Sequence, residues 1–331
     1  MTPALDAALA AGDEVHALVK PASRQLLEPA YPTVHWIEWS APWTVFRGKY
    51  RLWQWPWPKI LRLIKRLRGI HFADGWSARP DPRDHLFLWL AGVRQRRSFR
   101  HSLSQPFLNA GLDWPEMPRH RSEDWITLAR AAGLNPPDRP ILPPPLYQHA
   151  LPPNLANLPR PWVIFHAGAA QPTRRWPEAS WQAVLTSLSG QAAFSLVLIP
   201  DPTGHGQMLR PLADVVLDQL DLPALVAVLG AADAVLAHDS GPAHLAAALG
   251  TPVFAVMGPN LPERFGPRHP DAAVLHDPQC PHFPCRDYCH FDEPRCLTHL
   301  SPERCLLTLG PWLQNKLRAA AAKPLNAGDY D

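Results

Sequence analysis

Two stretches of the chain carry residue types suited to holding a phosphorylated ligand. The first is His238-Asp239-Ser240-Gly241-Pro242-Ala243-His244, followed by Leu-Ala-Ala-Ala-Leu-Gly250. A strand that is apolar from Ala231 to Ala237 apart from Asp233 leads into it, which predicts a buried strand, a sharp turn and a helix. Ser240 suits the N-cap, and Pro242 suits the first turn, where a missing N–H is no loss. Free N–H groups at a helix start attract phosphate, so Ser240, Gly241 and Ala243 are candidate anion contacts, while Pro242 cannot donate. A carboxylate set directly against a diphosphate would be repelled. Asp239 is therefore expected on sugar hydroxyls or on the helix N–H groups that it can cap. His244, one turn in, reads equally as a ligand contact or a core histidine. The second stretch runs from Phe165-His166-Ala-Gly168 to Thr173-Arg174-Arg175. It follows a strand, so His166 and Gly168 sit where open α/β sheets bind ligands. Arg174 and Arg175 can pair a diphosphate through two-pronged hydrogen bonds; solvated loop arginines are the plain alternative.

Such residues need an α/β scaffold to place them, and the periodicity supplies one. Helices are expected over 3–11, 22–27, 59–67 and 122–132, with Ser122 as an N-cap, and strands over 14–19, 34–39, 161–165 and 195–199. The run Asn135-Pro-Pro-Asp-Arg-Pro-Ile-Leu-Pro-Pro-Pro-Leu-Tyr147 is the strongest linker signal. The chain of 331 residues is accordingly divided into an N-terminal unit over 1–145, a Pro-rich linker over 146–160 and a C-terminal unit over 161–331. A net charge of +3 argues for no nucleic-acid partner. A start without a basic region and apolar core, and no apolar run of about 20 residues, make the cytoplasm the expected compartment.

All five cysteines fall between Cys280 and Cys305, with Cys285, Cys289 and Cys296 between them. Their spacing is not that of a paired Cys-x-x-Cys ribbon. Clustering still makes Cys280, Cys285, Cys289 and Cys296 candidate ligands of a structural zinc or iron, with His282 and His290 able to complete a site; unligated thiols and a disulfide are the alternatives. Trp36, Trp39, Trp43, Trp53, Trp55 and Trp57 crowd the approach to the basic helix 59–67. They read as peripheral contact with an anionic inner membrane or, more simply, as a domain helix whose apolar face (Ile60, Leu63, Ile64, Leu67) covers a sheet.

The stretch Asp239–Pro252, followed by Met257-Gly-Pro-Asn-Leu-Pro-Glu-Arg-Phe-Gly-Pro267, resembles the signature of glycosyltransferase family 9, the ADP-heptose:lipopolysaccharide heptosyltransferases. Thr173-Arg-Arg-Trp-Pro177 is similar to the family's Lys-x-Trp-Pro segment, with Arg174 in place of the lysine. The resemblance implies a GT-B fold, two Rossmann-like domains with parallel sheets facing across a cleft, the acceptor on the N-terminal domain and the donor on the C-terminal one. It implies inverting transfer of heptose from an ADP-activated donor to a lipid-linked, lipopolysaccharide core-type or other glycan acceptor, on the cytoplasmic side of the inner membrane and with no cofactor required for catalysis. The donor would then meet His166, Gly168, Thr173, Arg174, Arg175, Asp239, Ser240, Gly241, Ala243 and His244. The family's Gly-Asp loop, which supplies the proposed base, is expected ahead of a helix reading Pro-Ala-Leu, and here Pro3-Ala-Leu5 stands at the start. Gly12-Asp13 reads as a turn and not as that loop, so no catalytic base is assigned. A sheet lacking this first strand is expected to show a gap or an open edge. Either the recorded start lies downstream of the true one, or the chain binds donor but transfers poorly. Asp201, after the strand 195–199, is the one acidic candidate for a ribose. A catalytically impaired nucleotide-sugar-binding or assembly protein and a GT-B-like sugar-nucleotide epimerase are the alternative functions.

Overall fold

The computed structural model describes residues 1–45, 50–142, 149–189, 194–201 and 203–321. The prolines at 143–145 and the first residues of the expected linker lie outside these. The chain divides into two units, Met1–Arg139 and Pro140–Asp331, a boundary inside the proline-rich run.

The first unit contains α1 (Thr2–Ala10), β1 (His16–Val19), α2 (Pro21–Leu27), β2 (His35–Glu38), α3 (Trp57–Arg68), β3 (Asp74–Trp76), α4 (Pro82–Leu90), β4 (Gln95–Phe99), β5 (Ala110–Leu112) and α5 (Ser122–Ala131). Every strand pairing is parallel, yet the strands form two sheets, β1–β2 and β3–β4–β5, instead of one. At the end of α1, Gly12 takes φ +83° and the Asp13 N–H reaches the Ala8 carbonyl at 3.0 Å, a left-handed helix stop. Asp13 is thus an exposed turn residue. Arg121, not Ser122, occupies the N-cap of α5; Ser122 is the first helical residue and its Oγ sits 2.8 Å from His120 Nδ1.

The amphipathic reading of α3 holds in detail. Ile60 and Leu67 are buried, Leu63 and Ile64 half-buried, and this face meets Trp39, Trp43, Trp55 and Phe87. The Trp43 indole donates to Asp84 Oδ1 at 2.6 Å, so the buried N–H is satisfied. Trp39, Trp43 and Trp55 are therefore core. Trp53 and Trp57 stay outside, 78% and 44% exposed.

The second unit contains α6 (Pro153–Ala156), β6 (Trp162–His166), α7 (Glu178–Ser189), β7 (Ser195–Leu198), β8 (Val215–Val216), α8 (Leu222–Ala231), β9 (Ala234–His238), α9 (Gly241–Leu249), β10 (Val253–Met257), α10 (Pro262–Phe265), β11 (Ala273–His276), α11 (Arg295–Thr298) and α12 (Pro302–Ala321). Its six strands form one parallel sheet in the order β11-β10-β9-β6-β7-β8. Every residue of β6, β9 and β10 is buried, as expected of parallel strands covered on both faces. From β6 the chain winds outward through β7 and β8, then returns to start β9 on the other side. The strand order therefore reverses between β6 and β9, and ligands of open α/β sheets bind outside the carboxyl ends at that point.

Candidate functional site

His166 ends β6 and His238 ends β9, so the two histidines flank the switch point. Just beyond lies a cavity of about 310 Å³, lined by His166, Ala169, Ala170, Asp201, Ser240, Gly241 and Pro242, with Ile199, Leu217, Leu220 and Leu225 as an apolar wall. His166 is buried and its Nδ1 meets the Ile199 carbonyl at 3.0 Å; burial depresses its pKa, so the ring is neutral. Gly168 is required here by space, because a Cβ would collide with the Asp201 carboxylate. Burial alone would raise the Asp201 pKa. Bonds from the Thr203 hydroxyl and N–H, with the charge of Arg175, outweigh it and hold the carboxyl below its usual range. Asp201 is thus an ionised acceptor on the cavity wall.

Ser240 stands at the N-cap of α9 with extended backbone, but its hydroxyl does not cap the helix. The Oγ is buried and has no hydrogen-bond partner. Leaving a buried hydroxyl unpaired costs about 1–3 kcal/mol, and this one lies on the cavity wall. Gly241 offers its backbone with open space where a side chain would stand, whereas Ala243 is wholly buried.

Beside Ser240, Asp239 is the hub of a charged cluster. Its Oδ2 accepts from Asn260 Nδ2 at 2.7 Å and lies 3.3 Å from Arg174 Nη1, while Oδ1 is 3.4 Å from His244 Nε2. Burial works to raise its pKa, but the His244 bond, the Arg174 charge and the Asn260 bond prevail and keep it ionised. With only 2% of the side chain exposed, Asp239 organises its neighbours. Arg174 is held from the other side by Asp287, with Nε at 2.8 Å and Nη2 at 2.5 Å, a two-pronged pair. Thr173 Oγ1 also donates to Asp287, at 3.3 Å. Arg175 is turned onto its own loop, Nε donating to the Ala169 carbonyl at 2.8 Å. The structure therefore gathers Thr173, Arg174, Asp239 and His244 in one cluster and places His166, Ser240 and Gly241 on the cavity. Asn260, inside the Met257–Pro267 stretch, and Asp287, which no local pattern marks, complete the cluster.

Below the site, His238 is fully buried. Its Nε2 accepts from the Trp176 N–H at 2.9 Å and from the Trp181 indole at 2.8 Å. Burial, reinforced by His205 and His166, lowers its pKa to about 3, so the ring proton sits on Nδ1. This histidine ties the helix α7 layer to the strand that delivers Asp239.

The loop bearing Asp287 also bears Cys280, Cys285 and Cys289, with Cys296 in α11 and Cys305 in α12, and all five cysteines are free. Burial raises the Cys285 and Cys296 pKa values, the latter to about 12; Cys285 also feels Cys289 and Cys280, and Cys296 feels Cys285, Cys280 and Cys289. Cys305 is raised to about 12 by burial alone and stands apart. His282 and His290 stack at 4.2 Å. Among the described residues no three of these groups bring their ligand atoms within 4.8 Å of one another.

The model of glycosyltransferase family 9 (heptosyltransferase) matches residues 85–293. The chain belongs to glycosyltransferase family 9. It is 30% identical over 167 residues to lipopolysaccharide heptosyltransferase 1 of Pseudomonas aeruginosa, a stretch covering 44% of this chain and 46% of that protein. The sequence likeness thus spans about half the length of that curated relative. Among solved structures, Escherichia coli heptosyltransferase WaaC with ADP superposes with a TM-score of 0.68 at 19% identity, covering 95% of this chain and 94% of that one. The iron-containing dodecameric glycosyltransferase TibC of enterotoxigenic E. coli gives a TM-score of 0.54 at 14% identity, covering 97% of this chain and 72% of that one. These likenesses place the family 9 chain in the GT-B class, with two Rossmann-like α/β units. No helix among its described residues is long and apolar enough to cross a membrane.

Proposed function

We propose that this family 9 chain transfers heptose from an ADP-activated donor, with inversion, to a lipopolysaccharide core-type acceptor. The observation that carries the reading is the cavity at the start of α9, with the unpaired Ser240 hydroxyl on its wall and Arg174 in the adjoining cluster. The α9 N-terminus and Arg174 supply positive charge for a diphosphate, the Ile199–Leu225 wall accepts a base, and Asp201 accepts ribose hydroxyls. In transfer, the acceptor oxygen attacks the anomeric carbon as the bond to the diphosphate breaks. The acceptor proton passes to a base. Arg174 remains cationic at any working pH and stabilises the departing diphosphate. The unit over 161–331 is read as the donor side and that over 1–145 as the acceptor side. The test is calorimetric titration with ADP, UDP and GDP. ADP is expected to bind, and Arg174→Ala to weaken it ten- to a hundredfold, as loss of charge-assisted bonds does. Failure of all three nucleotides to bind would sink the reading.

Two finer readings accompany it. Cys280, Cys285, Cys289 and Cys296 are proposed as a structural zinc or iron site, supported by the mutual influence of their thiols and by the iron in TibC. Contact with the inner face of the inner membrane is proposed for the outer side of α3.

A further inference from the structure

Among the described residues, one group of side chains converges as metal ligands do. Glu14 and His16 are two residues apart in extended chain, so both point to the same side. His16 opens β1 and His35 opens β2, and the parallel register sets them directly opposite. Their rings stack at 4.4 Å with an interplanar angle of 23°, bringing both Nε2 atoms to one place. Glu14 Oε1 lies 3.1 Å from His16 Nε2 and 3.3 Å from His35 Nε2. All three ligand atoms fall within 4.8 Å of one another.

We infer that Glu14, His16 and His35 bind one divalent transition-metal ion of the zinc type, bridging the starts of β1 and β2. The separations are those that a single coordination sphere imposes. Nitrogen and oxygen ligands at about 2.0–2.1 Å from zinc stand about 3.3 Å apart in a tetrahedron, and somewhat closer in an octahedron. Imidazole nitrogen with carboxylate oxygen is a donor set that zinc, nickel and cobalt accept, and three protein ligands leave a position for water. The scaffold holds the pair in advance: the strand register fixes both histidines, and Phe72 sets its edge against His16 at 5.0 Å. A two-stranded sheet has little pairing of its own, and an ion shared by both strands adds a cross-brace. This site lies in the first unit and does not depend on the nucleotide reading.

The test is zinc titration of the full chain after chelator treatment, followed by calorimetry, with cobalt absorption as a second measurement. Wild type is expected to bind one more equivalent than His16→Gln/His35→Gln, and Glu14→Gln to bind that equivalent at least tenfold more weakly. The same equivalent should survive in Cys285→Ser/Cys289→Ser, which reports on the thiol site instead. With cobalt, the histidine variant should lose only the weak visible bands of nitrogen and oxygen ligation and keep any intense thiolate band. His35 and Glu14 are 56% and 71% exposed at the side chain, so their replacement should leave the fold intact. Equal stoichiometry and affinity in wild type and the double histidine variant would overturn the site, as would cobalt spectra that do not differ between them.

Discussion

Arg174 is the residue whose environment says most about the site. Its guanidinium is engaged on three of its nitrogens, Nε and Nη2 by Asp287 and Nη1 by Asp239. Lysine, a point charge without a planar fork, could not satisfy that geometry. The arginine standing where the family has lysine therefore goes with a partner able to orient it. Asp287 is a positioning residue in this reading: it fixes the plane of the fork so that the remaining Nη hydrogens face the neighbouring site. Both Arg286 and Asp287 take left-handed φ values, 53° and 72°, an uncommon backbone that places the carboxylate on Arg174. Asp287→Asn, which keeps the volume and loses the charge, should weaken ADP binding about tenfold, and Asp287→Glu should recover part of the loss. In Arg174→Ala the same change should have little effect, since the two act through one contact. Tighter binding of ADP by Asp287→Asn would mean that the carboxylate competes with the diphosphate, and the positioning role would fall.

At the scale of elements, what was legible in the chain follows from burial. β6 and β9 read clearly because both their faces are covered, which demands uninterrupted apolar residues. Asp-Gly-Trp, Gln-Arg-Arg-Ser-Phe and Ala-Gly-Leu carry no such pattern, and β3, β4 and β5 went unread. Arg97 sits in β4 because it has a partner across the strand, Asp74 Oδ2 at 2.7 Å, a pairing visible only once the strands are aligned. The α9 turn was legible as one contiguous motif, whereas Asp287 lies 113 positions from Arg174 and nothing local links them. The helix α3 shows the limit of reading a single face. Its apolar side is spent on Trp39, Trp43, Trp55 and Phe87, so any membrane contact must use the other side. There Trp57 and Leu61 are exposed, and so are Lys59, Arg62, Lys65 and Arg66, while Trp53 is exposed just ahead of the helix. Basic residues near an anionic surface contribute about 1 kcal/mol each. The protein should therefore bind vesicles containing anionic phospholipid and release them as salt rises. Trp53→Ala/Leu61→Ala should lower the bound fraction several-fold in a co-sedimentation measurement. Binding that ignores anionic content would count against this surface.

At the scale of the whole molecule, both units bury histidines that must stay neutral, and this sets how the protein meets acid. In the first unit His85 is enclosed by the Ser98 and Ser104 hydroxyls, each at 2.7 Å, and burial lowers its pKa. In the second unit His166 is lowered for the same reason, and His238 falls to about 3. Unfolded, each returns to the ordinary value of 6.5. Between those values the unfolded chain binds more protons than the native one, so stability is full above about pH 6.5 and declines as the pH falls below it. The carboxylates act in a lower window. Asp239 and Asp201 are held below their ordinary 3.8, so their contribution is present above that value and is lost only as the pH falls beneath it. Between pH 7 and pH 5 these carboxylates keep their contribution, while the lowered histidines lose theirs, as does the buried Met1 amino group, whose pKa falls from 8.0 to about 5. One histidine lowered as far as His238 costs about 2 kcal/mol over that interval, from a limiting slope near 1.4 kcal/mol per pH unit. Denaturant unfolding followed by tryptophan fluorescence is suited to the measurement, because Trp181 lies 5.6 Å from the His238 ring. His238→Gln keeps an acceptor for Trp176 and Trp181 but cannot titrate. Whatever its stability at pH 7, its loss between pH 7 and pH 5 should be smaller than that of wild type by about 2 kcal/mol. Parallel pH profiles for the two proteins would show that His238 takes up its proton without unfolding, and that the decline arises at other buried groups.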